Sequence, residues 1–397
     1  MTAARFRVFM QRLGGEPNMA AWNRVTFGLA LAGLLLAAGA ARADCNLPAA
    51  DAVLQVPLPG HPFSAIPTAD GCTIFVSLTA KDSHVAVLQR EGGTVTLLHN
   101  IATAGLLTGM ALSPDGRYLA AANGGGVTLF DTAKLVSGAD KPELGYLNDR
   151  AGAGSIYAAF TPDQHLLFVS DERNQSITVY DFAGLLAGKG AKPVGEIRTG
   201  LAPVGLAFSP DGKRLYSTSE VASSSGNCSE NGERGHGPGN LMVIDVARAA
   251  TDPSGAVLAR VSAGCSPVRV ALSADGAAAY VSARGQNALM VFDTAKFSSD
   301  SDHALTTQIT VGTAPVGVAV VKGKIFVTNS NRFGGGEAQS VSVLDAADLS
   351  AKQAALPAGG FPRELKATAD GNTLLVTNFT SSTLELVDLA RLDQATK

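Results

Sequence analysis

Residues 203–212 read Pro203-Val204-Gly205-Leu206-Ala207-Phe208-Ser209-Pro210-Asp211-Gly212, an apolar run that stops at a Ser-x-Asp-Gly turn. Asp-Gly supplies the positive φ that a tight hairpin demands. The alternating run that follows, Lys213-Arg214-Leu215-Tyr216-Ser217-Thr218, has the period of two expected of a strand. A third run, Leu241-Met242-Val243-Ile244-Asp245, ends in Asp. The unit recurs. Its other turns are Thr68-Ala69-Asp70-Gly71, Ser113-Pro114-Asp115-Gly116, Thr161-Pro162-Asp163-Gln164, Ser273-Ala274-Asp275-Gly276, Val321-Lys322-Gly323 and Thr368-Ala369-Asp370-Gly371. Measured at the last residue of each turn, the spacings are 45, 48, 48, 64, 47 and 48 residues. Four short strands, a before the turn, b after it, c ending at the Asp and d before the next Pro, make a propeller blade in about 48 residues. The sequence therefore predicts an all-β, seven-bladed β-propeller. Its last unit runs out after strand c, and the missing strand lies at the other end of the chain. Val53-Leu54-Gln55-Val56-Pro57-Leu58 aligns with Leu258-Ala259-Arg260-Val261-Ser262 and Gln308-Ile309-Thr310-Val311, so an N-terminal strand closes the ring and removes an exposed sheet edge.

Residues 1–43 are set apart from this repeat. Arg5, Arg7, Arg12 and Arg24 precede an uncharged run from Val25 to Ala41 and the small-residue site Ala41-Arg42-Ala43, the pattern of a secretory signal peptide. Met19 opens a more compact version of the same signal. The expected organisation is a signal peptide over 1–43 and one propeller domain over 44–397, in a periplasmic or secreted protein with no membrane span after cleavage. The mature chain of 354 residues carries a net charge of −7 and no Trp. That composition gives no footprint for nucleic acid. It also fits poorly with propellers that place a Trp in each blade.

Tyr280-Val281-Ser282, Phe326-Val327-Thr328-Asn329 and Leu375-Val376-Thr377-Asn378, each after a Gly-containing turn, resemble the YVTN repeat of seven-bladed propellers. The resemblance spans roughly residues 53–390 and implies fold rather than function. Related groups include lactonase-like enzymes and the propeller subunits of amine dehydrogenases. Gln164 departs from the turn pattern, and the fourth unit is about 16 residues longer than the others.

In a propeller the b-to-c and d-to-a loops share one face, the top, and the long additions fall there: 81–84, 171–175, 220–240 and 330–339. Binding residues concentrate on such loops. Arg269 replaces the Gly of Pro203-Val204-Gly205, and Arg363-Glu364 replace small residues of the last unit, all at the start of strand a beside the channel. Asp171, Glu172, Arg173, Glu220, Arg284 and Arg332 follow strand b at the same mouth, with His61 in a d-to-a loop. Arg269, Arg284, Arg332 and Arg363 are the expected anion contacts, since bidentate Arg suits carboxylate or phosphate. Asp115, Asp211, Asp275 and Asp370 of the a-to-b turns cap local backbone and are no catalytic carboxylates.

No Cys-x-x-Cys, Walker loop or Gly-x-Ser-x-Gly elbow occurs, so no cofactor is expected. His61, His84 and His236 share the top face without metal-ligand spacing, and no metal is assigned. Four Cys in an exported chain read as two disulfides. Topology pairs Cys228 with Cys265 on the top of adjoining blades and Cys45 with Cys72 on the bottom. The expected function is an exported binding or scaffold protein that uses the top-face mouth for a small anionic ligand, a peptide or a periplasmic protein. A lactonase-like hydrolase and a propeller partner of a periplasmic redox enzyme are the alternatives.

Overall fold

The computed structural model describes residues 45, 52–79, 83–91, 93–149, 152–222, 226–228, 236–334 and 338–395. The expected signal peptide lies outside the described residues. Seven four-stranded antiparallel sheets span 61–102, 110–148, 155–198, 201–262, 267–310, 315–357, and 362–388 with 53–57; these are blades 1 to 7. In blade 7 the inner strands are Pro362–Ala367, Thr373–Asn378 and Thr383–Asp388, and the outer strand is Val53–Pro57 from the start of the chain. Val53 stands opposite Val387 and Pro57 opposite Thr383. The ring closes as the repeat count requires. Among the described residues no helix is long and apolar enough to cross a membrane.

Each sheet is covered on both faces by its neighbours, which is why central strands such as Thr73–Thr79 are buried throughout rather than alternately. Apolar clusters fill all seven seams: Phe75 with Leu119 between blades 1 and 2, for example, and Val56, Leu58, Ile74 and Leu386 between blades 7 and 1.

The recurring polar residues have recurring partners. In the a-to-b turn Ser113 Oγ donates to Asp115 Oδ1 at 2.6 Å, and Asp115 accepts from Arg117 N at 3.0 Å. The same Asp geometry recurs at 163, 211, 275 and 370. The Asp ending strand c caps a short helix, as Asp131 does for Lys134 N and Asp245 for Arg248 N. The Ser or Thr near the end of strand b joins blades. Thr218 Oγ1 donates to Val268 O at 2.8 Å and accepts from Gly205 N at 2.9 Å; Ser282 Oγ donates to Val316 O at 2.6 Å and accepts from Arg269 N at 3.1 Å. Gln164, the exception among the turn glycines, adopts the left-handed conformation at φ +61° and ties its amide to Asp115 of the preceding blade.

Both disulfides form as topology requires. Cys45 bonds Cys72 with Cα atoms 5.0 Å apart, and Cys228 bonds Cys265 at 5.4 Å. The second fastens the long loop of blade 4 to the loop entering blade 5, where Cys228 also pairs its backbone with His236.

Candidate functional site

Strand a of several blades enters through a β-bulge: the register shifts between Pro203 and Leu206, Pro267 and Val270, Pro315 and Val318, and Pro362 and Glu364. A bulge re-aims side chains. Here it sets two layers around the channel mouth. The residue after each opening Pro forms a collar, in which Val204, Val268 and Val316 pack together with Ile156 and Phe361. Phe63 holds the same sequence position in blade 1, and in blade 7 the position is Arg363.

The next residue along each strand forms a second layer. Gly205, Gly317 and Ser64 are small there, whereas Tyr157, Arg269 and Glu364 meet across the channel. Arg269 Nε donates to Glu364 Oε1 at 2.9 Å, with the two side chains only 9% and 12% exposed. Arg269 also donates to the Tyr157 hydroxyl and lies 4.1 Å from the centre of its ring; Tyr157 in turn donates to Glu364. Burial raises the Tyr157 pKa, so the phenol stays a donor. Blade 2 makes room for it with Gly109, where a Cβ would stand 2.4 Å from the Tyr157 ring. The triad therefore bridges blades 3, 5 and 7 with its charges already matched.

The four arginines are not equivalent. Arg284 is held by both oxygens of Glu220, at 3.0 and 2.8 Å. Arg332 is exposed and lies over Phe333 and Phe361. Arg363 sits 3.8 Å from the centre of the Phe63 ring, with Phe361 at 5.6 Å and Phe379 at 5.9 Å. Its Nε is buried without a hydrogen-bond partner among the described residues. Burial is the largest influence on its guanidinium and lowers the pKa to about 10, so it remains charged at neutral pH. Glu172 belongs to the same mouth. Burial and then Glu220 push its carboxyl above the usual range, against the pull of Arg269, Arg363 and Arg284. Further along the inner strand of blade 7, Lys366 is reached by solvent, yet the protein around it pulls its ammonium below the usual lysine range.

Asp171 and His61 sit in contrasting surroundings. Asp171 ends strand b of blade 3 in the slot that Asn329 and Asn378 fill in blades 6 and 7, and it is fully buried. It accepts from Ser155 Oγ and Thr178 Oγ1, both at 2.6 Å, and is too enclosed to meet a ligand at the mouth. His61 lies on the rim, stacked on Phe379 at 5.1 Å, with Nδ1 donating to Phe379 O at 2.8 Å. Among the described residues no three metal-ligating side chains gather. The aromatic members, Phe63, Tyr157, Phe361 and Phe379, escape a reading that assigns ring residues of strands to the core. The signal that finds Tyr157 is its occupancy of the small-residue slot two positions into strand a.

A search of solved structures places the chain beside one titled Kuenenia stuttgartiensis Hydrazine Synthase, 18% identical, with a TM-score of 0.63 over 84% of this chain and 97% of that one. This is a likeness of fold. A comparison with curated proteins returned no match. The family model described as "Lactonase, 7-bladed beta-propeller" matches residues 68–315. That is well over half of the chain, which belongs to the lactonase seven-bladed β-propeller family.

Proposed function

We propose that the protein is an exported binding propeller that takes a small anion at Arg363 in the top-face mouth. One observation carries the reading. Arg363 is a cation beside the apolar collar residues Val204, Val268 and Val316, with a buried N–H that nothing described satisfies, whereas its neighbours Arg269 and Arg284 each have a carboxylate. A buried donor left without a partner costs about 1–3 kcal/mol. Such a cost persists where a ligand completes the site. The two disulfides support an oxidising compartment, and the Cys228–Cys265 bond holds a rim loop that preorganises the mouth. A thermal-shift panel of small carboxylates and phosphate esters tests the reading. Hits should stabilise the wild type and lose their effect in Arg363→Gln, while Arg332→Gln keeps most of it. Hits that stabilise Arg363→Gln equally would overturn it.

Family membership favours a second reading, lactone hydrolysis at the same mouth. Glu172, with its raised pKa, would accept the proton of an attacking water. Arg363 would stabilise the charge developing on the carbonyl oxygen. The ring C–O bond then breaks and its oxygen takes up the proton. Turnover of simple lactones that disappears in Glu172→Gln would establish this reading over plain binding.

A further inference from the structure

Phe361 is the residue that precedes the opening Pro of blade 7, and its backbone is left-handed at φ +51°. Blades 4, 5 and 6 use the same conformation at the same place, with Ala202, Ser266 and Ala314 at φ +50°, +49° and +50°. A bulky side chain is disfavoured there, and strain of this kind concentrates at ligand sites. The ring that costs this strain faces the mouth. It packs against the collar valines, tilts against Phe379 at 5.6 Å and lies beside both Arg363 and Arg332. Phe379 continues the surface to His61, whose ring is stacked on it at an interplanar angle of 24°. Phe361 and Phe379 are half-buried, and His61 and Arg332 are exposed. One wall of the mouth, from blades 7 and 1, is thus an aromatic shelf open to solvent, with the Arg363 cation at its inner edge.

Resting on the anion-binding reading of Arg363, we infer that the ligand is an aromatic carboxylate, its carboxylate on Arg363 and its ring on the Phe361–Phe379–His61 shelf. An aliphatic anion would use the cation alone and leave the shelf wet. A planar ring gains offset or edge contacts with Phe361 and Phe379, and the flanking Arg332 favours the face of an aromatic ligand. A few placed polar groups beside an aromatic wall is the common composition of a small-molecule site.

Phe361→Ala is a well-founded probe because blades 4 and 6 carry Ala in this conformation. Apparent dissociation constants for acetate and benzoate come from thermal shift across a concentration series, on the mature chain with its disulfides intact. Benzoate should bind the wild type at least tenfold more tightly than acetate. In Phe361→Ala acetate binding should persist, while the benzoate advantage falls to about threefold or less. Equal affinities in the wild type, or an unchanged ratio in Phe361→Ala, would overturn the inference. If acetate binds and is lost in Arg363→Gln but benzoate gains nothing, the aromatic ligand alone is wrong. If neither anion binds, the anion site falls and this inference with it.

Discussion

Gln55 and Glu385 lie 330 residues apart in the chain and directly opposite each other in the closing sheet, where the Gln55 side-chain amide donates to the Glu385 carboxylate. Asn378 Nδ2 donates to the same carboxylate at 3.1 Å. The seam that joins the two ends of the chain is therefore specified by a part-buried polar contact as well as by strand pairing.

Removing residues 44–59 should destabilise the whole ring. Val56 and Leu58 are buried between blades 7 and 1, each contributing about 2 kcal/mol, and the deletion also removes the Cys45–Cys72 bond. The expected loss is at least roughly 5 kcal/mol, since a native disulfide adds about 2–4 kcal/mol. Melting measured by circular dichroism checks it. A truncated chain that melts with the 44–397 chain would show that the ring does not depend on this strand.

The rim disulfide can be tested separately. Nonreducing peptide mapping should recover Cys228 linked to Cys265 and Cys45 linked to Cys72, with no crossed pair. Replacing Cys228 and Cys265 by Ser should cost about 2–4 kcal/mol.

Blade-to-blade hydroxyls give a third prediction. Thr218→Val leaves Gly205 N and Val268 O without their shared partner, and Ser282→Ala does the same for Arg269 N and Val316 O. Each should lower stability by about 1–3 kcal/mol. Urea unfolding midpoints at constant slope provide the measure.

Asp171 predicts a pH dependence. Burial and then Asp149 push its carboxyl up to about 8, and Ser155 Oγ touches both acids, 2.6 Å from Asp171 Oδ1 and 2.9 Å from Asp149 Oδ2. The folded pKa is above the unfolded one, so the folded state binds the extra proton. The contribution of Asp171 to stability is then complete below about 4 and is lost as pH rises through about 8. Asp171→Asn, which restores the residue found at 329 and 378, should flatten the fall in melting temperature between pH 5.5 and 8.5. A wild-type melting temperature that rises over that interval would contradict the assignment.

The blades are legible in the sequence because one turn chemistry repeats at one period, and the missing fourth strand of the last unit forces the N-terminal strand into place. The disulfides follow from which face each loop occupies. Arg269 and Arg363 are visible as breaks in a small-residue pattern. Their different states are not, because neutralisation depends on what crosses the channel: Glu364, 95 residues from Arg269, reaches it and leaves Arg363 to the aromatic rings. Asp171 looks like a rim charge in sequence, yet it is the last residue of a strand and its side chain turns into the blade. A shift of one position along a strand changes the face a side chain meets.

The proposed anion site stands or falls with Arg363. The most direct test follows the Nε–H resonance of Arg363, assigned by its loss in Arg363→Gln, in nitrogen-15 correlation spectra of the mature protein during titration with benzoate. This resonance should move in a saturable way while the Arg284 signal, held by Glu220, stays in place. Saturable movement of other arginine signals with Arg363 unmoved would contradict it.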